Sequence, residues 1–178
     1  MTHIDYTLYL VTDRSVMSAK SLEQAVEQAI QGGCTVVQLR EKYASSREFF
    51  ETAQRVKQIT DSYHIPLIIN DRTDICLAVN AAGIHIGQQD LPAKIVRSMV
   101  GPDKIIGVSA ATLSEAIQAE QDGADYLGVG AMFATSTKTN TRPVTIERLT
   151  QIKQAVQIPV VAIGGIQSSN VTTLTDTG

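Results

Sequence analysis

Short, nearly continuous apolar runs recur along the whole chain, at Leu8–Val11, Thr35–Leu39, Leu67–Ile69, Ile84–Ile86, Ile105–Val108, Tyr126–Val129 and Pro159–Ile163. They are rich in β-branched residues and do not alternate with polar ones, the pattern of parallel strands covered on both faces. Helical spacing fills the intervals. Leu22, Ala25, Val26, Ala29 and Ile30, for example, recur as one amphipathic stripe. Strand and helix therefore alternate, which restricts the chain to an α/β fold with a parallel sheet.

Local signals agree with that rhythm. Ser21 with Gln24, Ser45 with Glu48 and Thr112 with Glu115 have the spacing of capping boxes, in which side chains satisfy the orphan donors of a first helical turn. Gly32-Gly33, Ala82-Gly83 and Gly123-Ala124 stand where helices must stop before the next strand. Val11-Thr12-Asp13-Arg14 follows the first strand where a dinucleotide-binding sheet would carry its glycine fingerprint. Polar residues follow nearly every strand, as expected when loops converge on the C-terminal rim of a barrel. We expect a TIM (β/α)8-type barrel. The eighth strand is missing from the chain, so residues 1–178 are expected to form a single barrel domain that is incomplete at its C-terminus.

The net charge of −3 gives no global positive field, which argues against a nucleic-acid partner. Any anionic ligand must be held by local cations, backbone N–H groups or a metal. Cys34 and Cys76 lack metal-ligand spacing and sit in apolar runs, so they read as core thiols of a reducing compartment. No basic-then-apolar leader opens the chain and no run is long enough to span a membrane, so a cytoplasmic location is expected.

The strand ends carry the chemistry. Strand alternation puts Gln38 and Arg40 on one face, with Lys42 just beyond in the loop. An amide and two cations suit an anionic ligand, Arg through its planar fork and Lys as a compact charge; the competing reading is a surface salt-bridge cluster with Glu41. Asp71, in Asn70-Asp71-Arg72, and Asp90, in His85-Ile86-Gly87-Gln88-Gln89-Asp90, follow consecutive strands and would face one ion. A small set of oxygen ligands fits Mg²⁺, which keeps waters and shares phosphate oxygens. Asp71 has a second reading as a helix cap, and His85 reads equally as an interior histidine or a catalytic one. Ser109 supplies a hydroxyl at the fifth strand's end. Residues 128–139 form a loop rich in hydroxyls with a single Lys138, suited to cover a phosphate or simply to be flexible. Gly164-Gly165 after the seventh strand can make a phosphate nest from backbone N–H groups ahead of a helix.

Leu8-Tyr9-Leu10-Val11-Thr12-Asp13, Gln38-Leu39-Arg40-Glu41-Lys42, Asn70-Asp71-Arg72, His85-Ile86-Gly87-Gln88-Gln89-Asp90-Leu91-Pro92, Thr135-Ser136-Thr137-Lys138 and Ile163-Gly164-Gly165-Ile166 together resemble the thiamine-phosphate synthases in order and spacing. The resemblance covers essentially the whole chain. It implies a transferase that couples 4-amino-5-hydroxymethyl-2-methylpyrimidine diphosphate with 4-methyl-5-(2-phosphoethyl)thiazole, releasing pyrophosphate and thiamine phosphate. It further implies that Gln38, Arg40, Lys42, Asn70, Ser109 and Lys138 contact the pyrimidine substrate and its diphosphate. Asp71 and Asp90 would hold Mg²⁺, Thr135 and Thr137 would line the site, and Gly165 would bind the thiazole phosphate. A dissociative substitution of this kind needs charge neutralisation by Arg40, Lys42, Lys138 and the metal, not a protein nucleophile.

Ala131 and Ala134 stand where the family commonly has prolines. The rival readings are a thiazole tautomerase-like paralogue, a noncatalytic regulatory barrel that binds a phosphorylated metabolite, and a phosphosugar isomerase or aldolase barrel. Retention of Asp71, Asp90 and Thr135–Lys138 favours the synthase over the tautomerase. An isomerase or aldolase would need a placed carboxylate base or a Schiff-base lysine.

Overall fold

The computed structural model describes residues 4–135 and 142–177. They fall into two compact units, Met1–His85 with Val96–Ile105, and Ile86–Ile95 with Ile106–Gly178. Strand and helix alternate through both: β1 (Tyr9–Val11), α1 (Leu22–Gln31), β2 (Val36–Leu39), α2 (Ser46–Ser62), β3 (Leu67–Asn70), α3 (Thr73–Ala78), β4 (Gly83–Ile86), α4 (Ala93–Val100), β5 (Ile105–Ala110), α5 (Leu113–Gln121), β6 (Tyr126–Val129), α6 (Ile146–Ala155) and β7 (Val160–Ala162). Short 3-10 turns follow β1 at Arg14–Val16 and β7 at Val171–Thr177.

In the first unit β1, β2 and β3 run parallel in chain order, with Val11 level with Gln38, Gln38 with Ile68, and Asn70 with His85 of β4. Every residue of β2 and β4 is buried, as their continuous apolar character requires. Helix α1 packs on α2, which covers β2 and β3. The apolar stripe of α1 puts Leu22, Val26 and Ile30 inside. In the second unit β5, β6 and β7 are parallel, with Ser109 level with Gly128 and Val129 with Ala162. There α5 packs on α6 and against β6.

Two of the three expected capping boxes form completely. Ser45 accepts the Glu48 amide and Glu48 accepts the Ser45 amide, and Thr112 and Glu115 do the same. Ser21 caps α1 by accepting the Gln24 amide at 3.1 Å, but no bond returns from Gln24. Gly33 and Gly123 have positive φ after their helices, as expected. Gly83 does not end a helix. It opens β4, and the left-handed residue after α3 is Asn80, at φ 51°. Gly83 is needed for space, since a Cβ there would strike the carbonyl of Ile105.

Gly107 serves a similar purpose in β5. Its strand neighbour is Tyr126, whose ring is wholly buried and occupies the space a side chain at 107 would take. Cys34 and Cys76 are buried free thiols that point at the carbonyls of Val36 and Gly83. Burial pushes the Cys76 thiol up to about 11, consistent with an inert core cysteine. Among the described residues, no helix is long and apolar enough to cross a membrane.

Candidate active site

In the first unit, the polar residues gather just past the ends of β1, β2 and β3. Thr12 extends the ladder beyond β1, its amide bonding the Gln38 carbonyl at 3.0 Å. Its buried hydroxyl then accepts the Arg40 amide at 3.0 Å, so a side chain supplies the next ladder acceptor. Gln38 is buried within β2, and its side-chain amide donates to the Tyr9 hydroxyl at 2.9 Å. The register carries Arg40 and Asn70 to the same level at the ends of neighbouring strands.

Arg40 is mostly covered, with 18% of its side chain exposed, and its Nη1 donates to Asp13 Oδ2 at 2.9 Å. The other Asp13 oxygen accepts from the Ser15 hydroxyl at 2.6 Å and the Ser15 amide at 2.9 Å. Those Ser15 bonds, the hydroxyl's first, and then the Arg40 charge outweigh the opposing effect of burial and hold the Asp13 carboxyl below its usual range. Glu41 does not pair with Arg40 or Lys42. Its carboxylate accepts both bonds from Arg14 Nε, at 2.8 and 3.0 Å. Lys42 is exposed and, among the described residues, has no hydrogen bond or ion pair. The Asn70 side chain is half-buried and likewise makes no hydrogen bond among them.

Asp71 has φ 64°, and its amide bonds the His85 carbonyl at 2.8 Å. It does not cap α3. The N-cap position there is Arg72, which has no side-chain cap bond and instead pairs with Asp74. His85 is a buried strand residue of β4.

In the second unit, Asp90 closes a tight turn. Its Oδ2 accepts the Gly87 amide at 2.7 Å and its amide bonds the Gly87 carbonyl at 3.2 Å. Its other oxygen makes no bond among the described residues. Ser109 is a half-buried residue of β5 whose carbonyl accepts from the Gln88 side chain at 2.7 Å. After β6, the chain lies against the segment leaving β7, with Met132 bonding the Ile163 carbonyl and Phe133 the Gly164 carbonyl, both at 3.0 Å. Gly165, at φ 64°, sits against the Phe133 and Ala134 carbonyls, two residues and one before Thr135, so Gly165 and Thr135 are brought together. Thr137 and Lys138 lie outside the described residues.

Gly164 and Gly165 both have positive φ, but they do not lead straight into a helix. Five residues intervene before the 3-10 turn at Val171, and Asn170 reaches back to donate to the Gly165 carbonyl at 2.9 Å. The helix N-terminus expected to support a phosphate nest here is therefore not in place.

Asp71 and Asp90 offer oxygen donors only, and no group of three or more His, Cys, Asp or Glu side chains able to hold a metal exists among the described residues. Each carboxylate is of the kind Mg²⁺ accepts, an ion that takes one or two carboxylates and completes its shell with water and phosphate oxygens. Two clefts, of about 240 and 190 Å³, lie beside α1 and beside α5. Neither has Lys or Arg among its lining residues, and the second carries Asp90, Glu115 and Asp122.

A model of the thiamine monophosphate synthase family matches residues 8–178. The chain belongs to this family. The thiamine-phosphate synthase of Ruminiclostridium cellulolyticum is 62% identical over 175 residues, covering 98% of this chain and 83% of that one. That of Clostridium tetani is 59% identical over 175 residues, covering 98% and 84%. Among solved structures, a thiamine phosphate pyrophosphorylase from Pyrococcus furiosus superposes with a TM-score of 0.87 at 40% identity, covering 96% of this chain and 81% of that one. The fold is thus the TIM-like α/β fold of the family, a family of transferases.

The sequence pattern pointed to Gln38, Arg40, Lys42 and Asn70 but missed Asp13 and Thr12, which fasten Arg40 from the preceding loop. The signal was the Thr-Asp pair standing one strand before the cations, at the same height in the sheet.

Proposed function

We propose that the chain is a transferase joining 4-amino-5-hydroxymethyl-2-methylpyrimidine diphosphate to 4-methyl-5-(2-phosphoethyl)thiazole, yielding thiamine phosphate and pyrophosphate. The observation that carries this is the family match over residues 8–178. The polar ends of β2 and β3 support it. An exposed Lys42 and a half-buried Asn70 amide, neither with a hydrogen-bond partner among the described residues, are groups ready for a polar ligand.

In this mechanism the bond between the pyrimidine's exocyclic methylene and the diphosphate breaks first, and the thiazole nitrogen then attacks the methylene cation. Arg40 and Lys42, with Lys138, would stabilise the charge that grows on the departing diphosphate. Gln38 and Asn70 would orient the pyrimidine, and Ser109 would add a hydroxyl contact. Thr135 and Thr137 would line the thiazole side, with the Gly165 amide holding its phosphate. Mg²⁺, when bound through Asp71 and Asp90, would supply further charge neutralisation at the diphosphate. No protein nucleophile or strong base is required. The substrates are small molecules, and the setting we propose is cytoplasmic.

The direct test supplies both substrates and measures pyrophosphate and thiamine phosphate with and without Mg²⁺. Product formation that needs the metal is expected; no product under either condition would rule the proposal out. Asp90→Ala should raise the Mg²⁺ concentration needed for half-maximal rate by about tenfold or more, since losing even a hydrogen-bond partner of a metal ligand has an effect of that size. An unchanged Mg²⁺ dependence would remove Asp90 from the metal site.

A further inference from the structure

The loop after β1 holds a carboxylate that the proposed reaction leaves without a task. Asp13 is placed against the one cation of the β2 end that is not at the surface. An acid 2.9 Å from a diphosphate-binding guanidinium opposes the ligand's charge. Its presence there calls for a compensating gain, and the geometry supplies one.

We infer that Asp13 is a positioning residue, which fixes the guanidinium of Arg40 for the pyrimidine diphosphate. The inference rests on the proposed role of Arg40. Both carboxylate oxygens of Asp13 are accounted for. Asp13 is itself held, because Ser15 gives its Oδ1 a hydroxyl bond at 2.6 Å and an amide bond at 2.9 Å. That leaves Oδ2 pointing at Arg40 Nη1. The Arg40 main chain is pinned independently, its amide on the buried Thr12 hydroxyl at 3.0 Å. Side chain and backbone of Arg40 are thus both fastened to consecutive residues of the same loop. The next residue along each loop repeats the link in reverse polarity, with Arg14 gripping Glu41, whose side chain is only 8% exposed.

A free arginine side chain loses considerable rotamer entropy when it binds an anion. Here that cost is met on folding. Among the described residues only Nη1 of the guanidinium is bonded, which leaves the other N–H donors of the fork for two-point contact with phosphate oxygens. The 18% exposure of the side chain is enough for a ligand to reach it, and too little for it to wander. Lys42 forms the contrast: it is exposed and, among the described residues, untethered, a point charge that needs no orientation.

The test is steady-state kinetics on full-length chains carrying Asp13→Ala, Asp13→Asn, Arg40→Ala, and Asp13→Ala with Arg40→Ala. Asp13→Ala is expected to raise the KM for the pyrimidine diphosphate about tenfold, the scale of one charge-assisted hydrogen bond, with the KM for the thiazole phosphate unchanged. Asp13→Asn, which keeps one acceptor oxygen, should raise it less. Combined with Arg40→Ala, the Asp13 change should add nothing further, since the group it positions is gone. A lower or unchanged pyrimidine KM in both Asp13 variants overturns the inference. So does a rise in both KM values alike, or an effect that multiplies in full with that of Arg40→Ala, because either marks a merely structural role. If Arg40→Ala itself keeps the wild-type KM, the proposed role of Arg40 fails and the inference with it; if Arg40→Ala raises KM while Asp13→Ala does not, only the inference fails. Should Asp13→Ala not fold, Asp13→Asn alone and on Arg40→Ala decides in the same way.

Discussion

Replacing Gly165 by alanine separates two costs that the structure makes distinct. At φ 64° an alanine pays for the left-handed backbone, about 1–2 kcal/mol. The new methyl would also stand 2.5 Å from the Ala134 carbonyl oxygen and 2.8 Å from that of Phe133. Both are main-chain atoms, so no side chain can swing aside. Opening the shorter contact to 3.4 Å needs roughly 0.9 Å of backbone movement, and overpacking of this kind costs about 1–3 kcal/mol. The whole substitution should therefore cost about 2–5 kcal/mol, less than the stability of a typical domain. Gly101→Ala is the internal control. Its φ is 77°, but nothing lies within 4 Å of its Cβ, so it pays the backbone cost alone.

Urea denaturation followed by circular dichroism reads both variants. With a slope of about 2 kcal/mol per molar, Gly101→Ala should lower the midpoint by roughly 0.5–1 M and Gly165→Ala by roughly 1–2.5 M. The displaced segment runs into Thr135, so Gly165→Ala should also raise the KM for the thiazole phosphate by about tenfold or more. The pyrimidine KM should move little. Equal midpoints for the two variants would refute the steric argument. A wild-type thiazole KM in a destabilised Gly165→Ala would refute the site assignment while leaving the packing argument intact.

Two further expectations concern stability. Glu115 is half-buried; its burial alone would raise its carboxyl, but the Arg142 bonds at 2.7 and 2.8 Å and the amides of Ala111 and Thr112 more than reverse this, and its pKa is lowered. Its contribution is therefore present above the ordinary value of 4.5 and lost as pH falls below it. Glu115→Ala should flatten the acid limb of the stability profile, and an unchanged limb would show that Glu115 is not part of the linkage. Because Glu115 completes a capping box while Arg142 is 55% exposed, Glu115→Ala should cost about 1–3 kcal/mol and Arg142→Ala at most about 1 kcal/mol; the reverse order in denaturation midpoints would show that the ion pair dominates. We also propose that the chain unfolds as a single domain. Each compact unit is assembled from interleaved stretches of chain, so one cooperative transition is expected, and two resolved steps would disprove it.

The alternation of continuous apolar runs with amphipathic stripes made the fold class legible, because strands such as Val36–Leu39 are buried at every position and leave no room for a different period. Boundaries moved by one or two residues where the ladder, not hydrophobicity, decides. Val108 closes the apolar run of the fifth strand, yet β5 continues through Ser109 and Ala110 because both pair with β6. Caps with local partners, such as Ser45 with Glu48, were readable since both halves lie within one turn. Asp71 looked equally like a cap and was not, because its left-handed backbone turns it out of the N-cap position. The partners of Arg40 and Glu41 were not readable. They lie 27 residues away, and only strand register brings Asp13 and Arg14 alongside them. The Mg²⁺ site and the contacts of Lys138 belong to the resemblance, since two isolated aspartates and a lysine in a hydroxyl-rich loop carry no local geometry of their own.

The buried ring of Tyr126 above Gly107 works as a vernier. Slide β6 by one residue and the ring meets Ile106 or Val108, whose own buried side chains already fill the space beside the strand. Only one notch fits. Ser109 stands two residues further along β5, on the same side as Gly107, so the notch also fixes how far along the strand its hydroxyl stands. An aromatic ring deep in the core thereby calibrates the height of a hydroxyl that the proposed reaction would use.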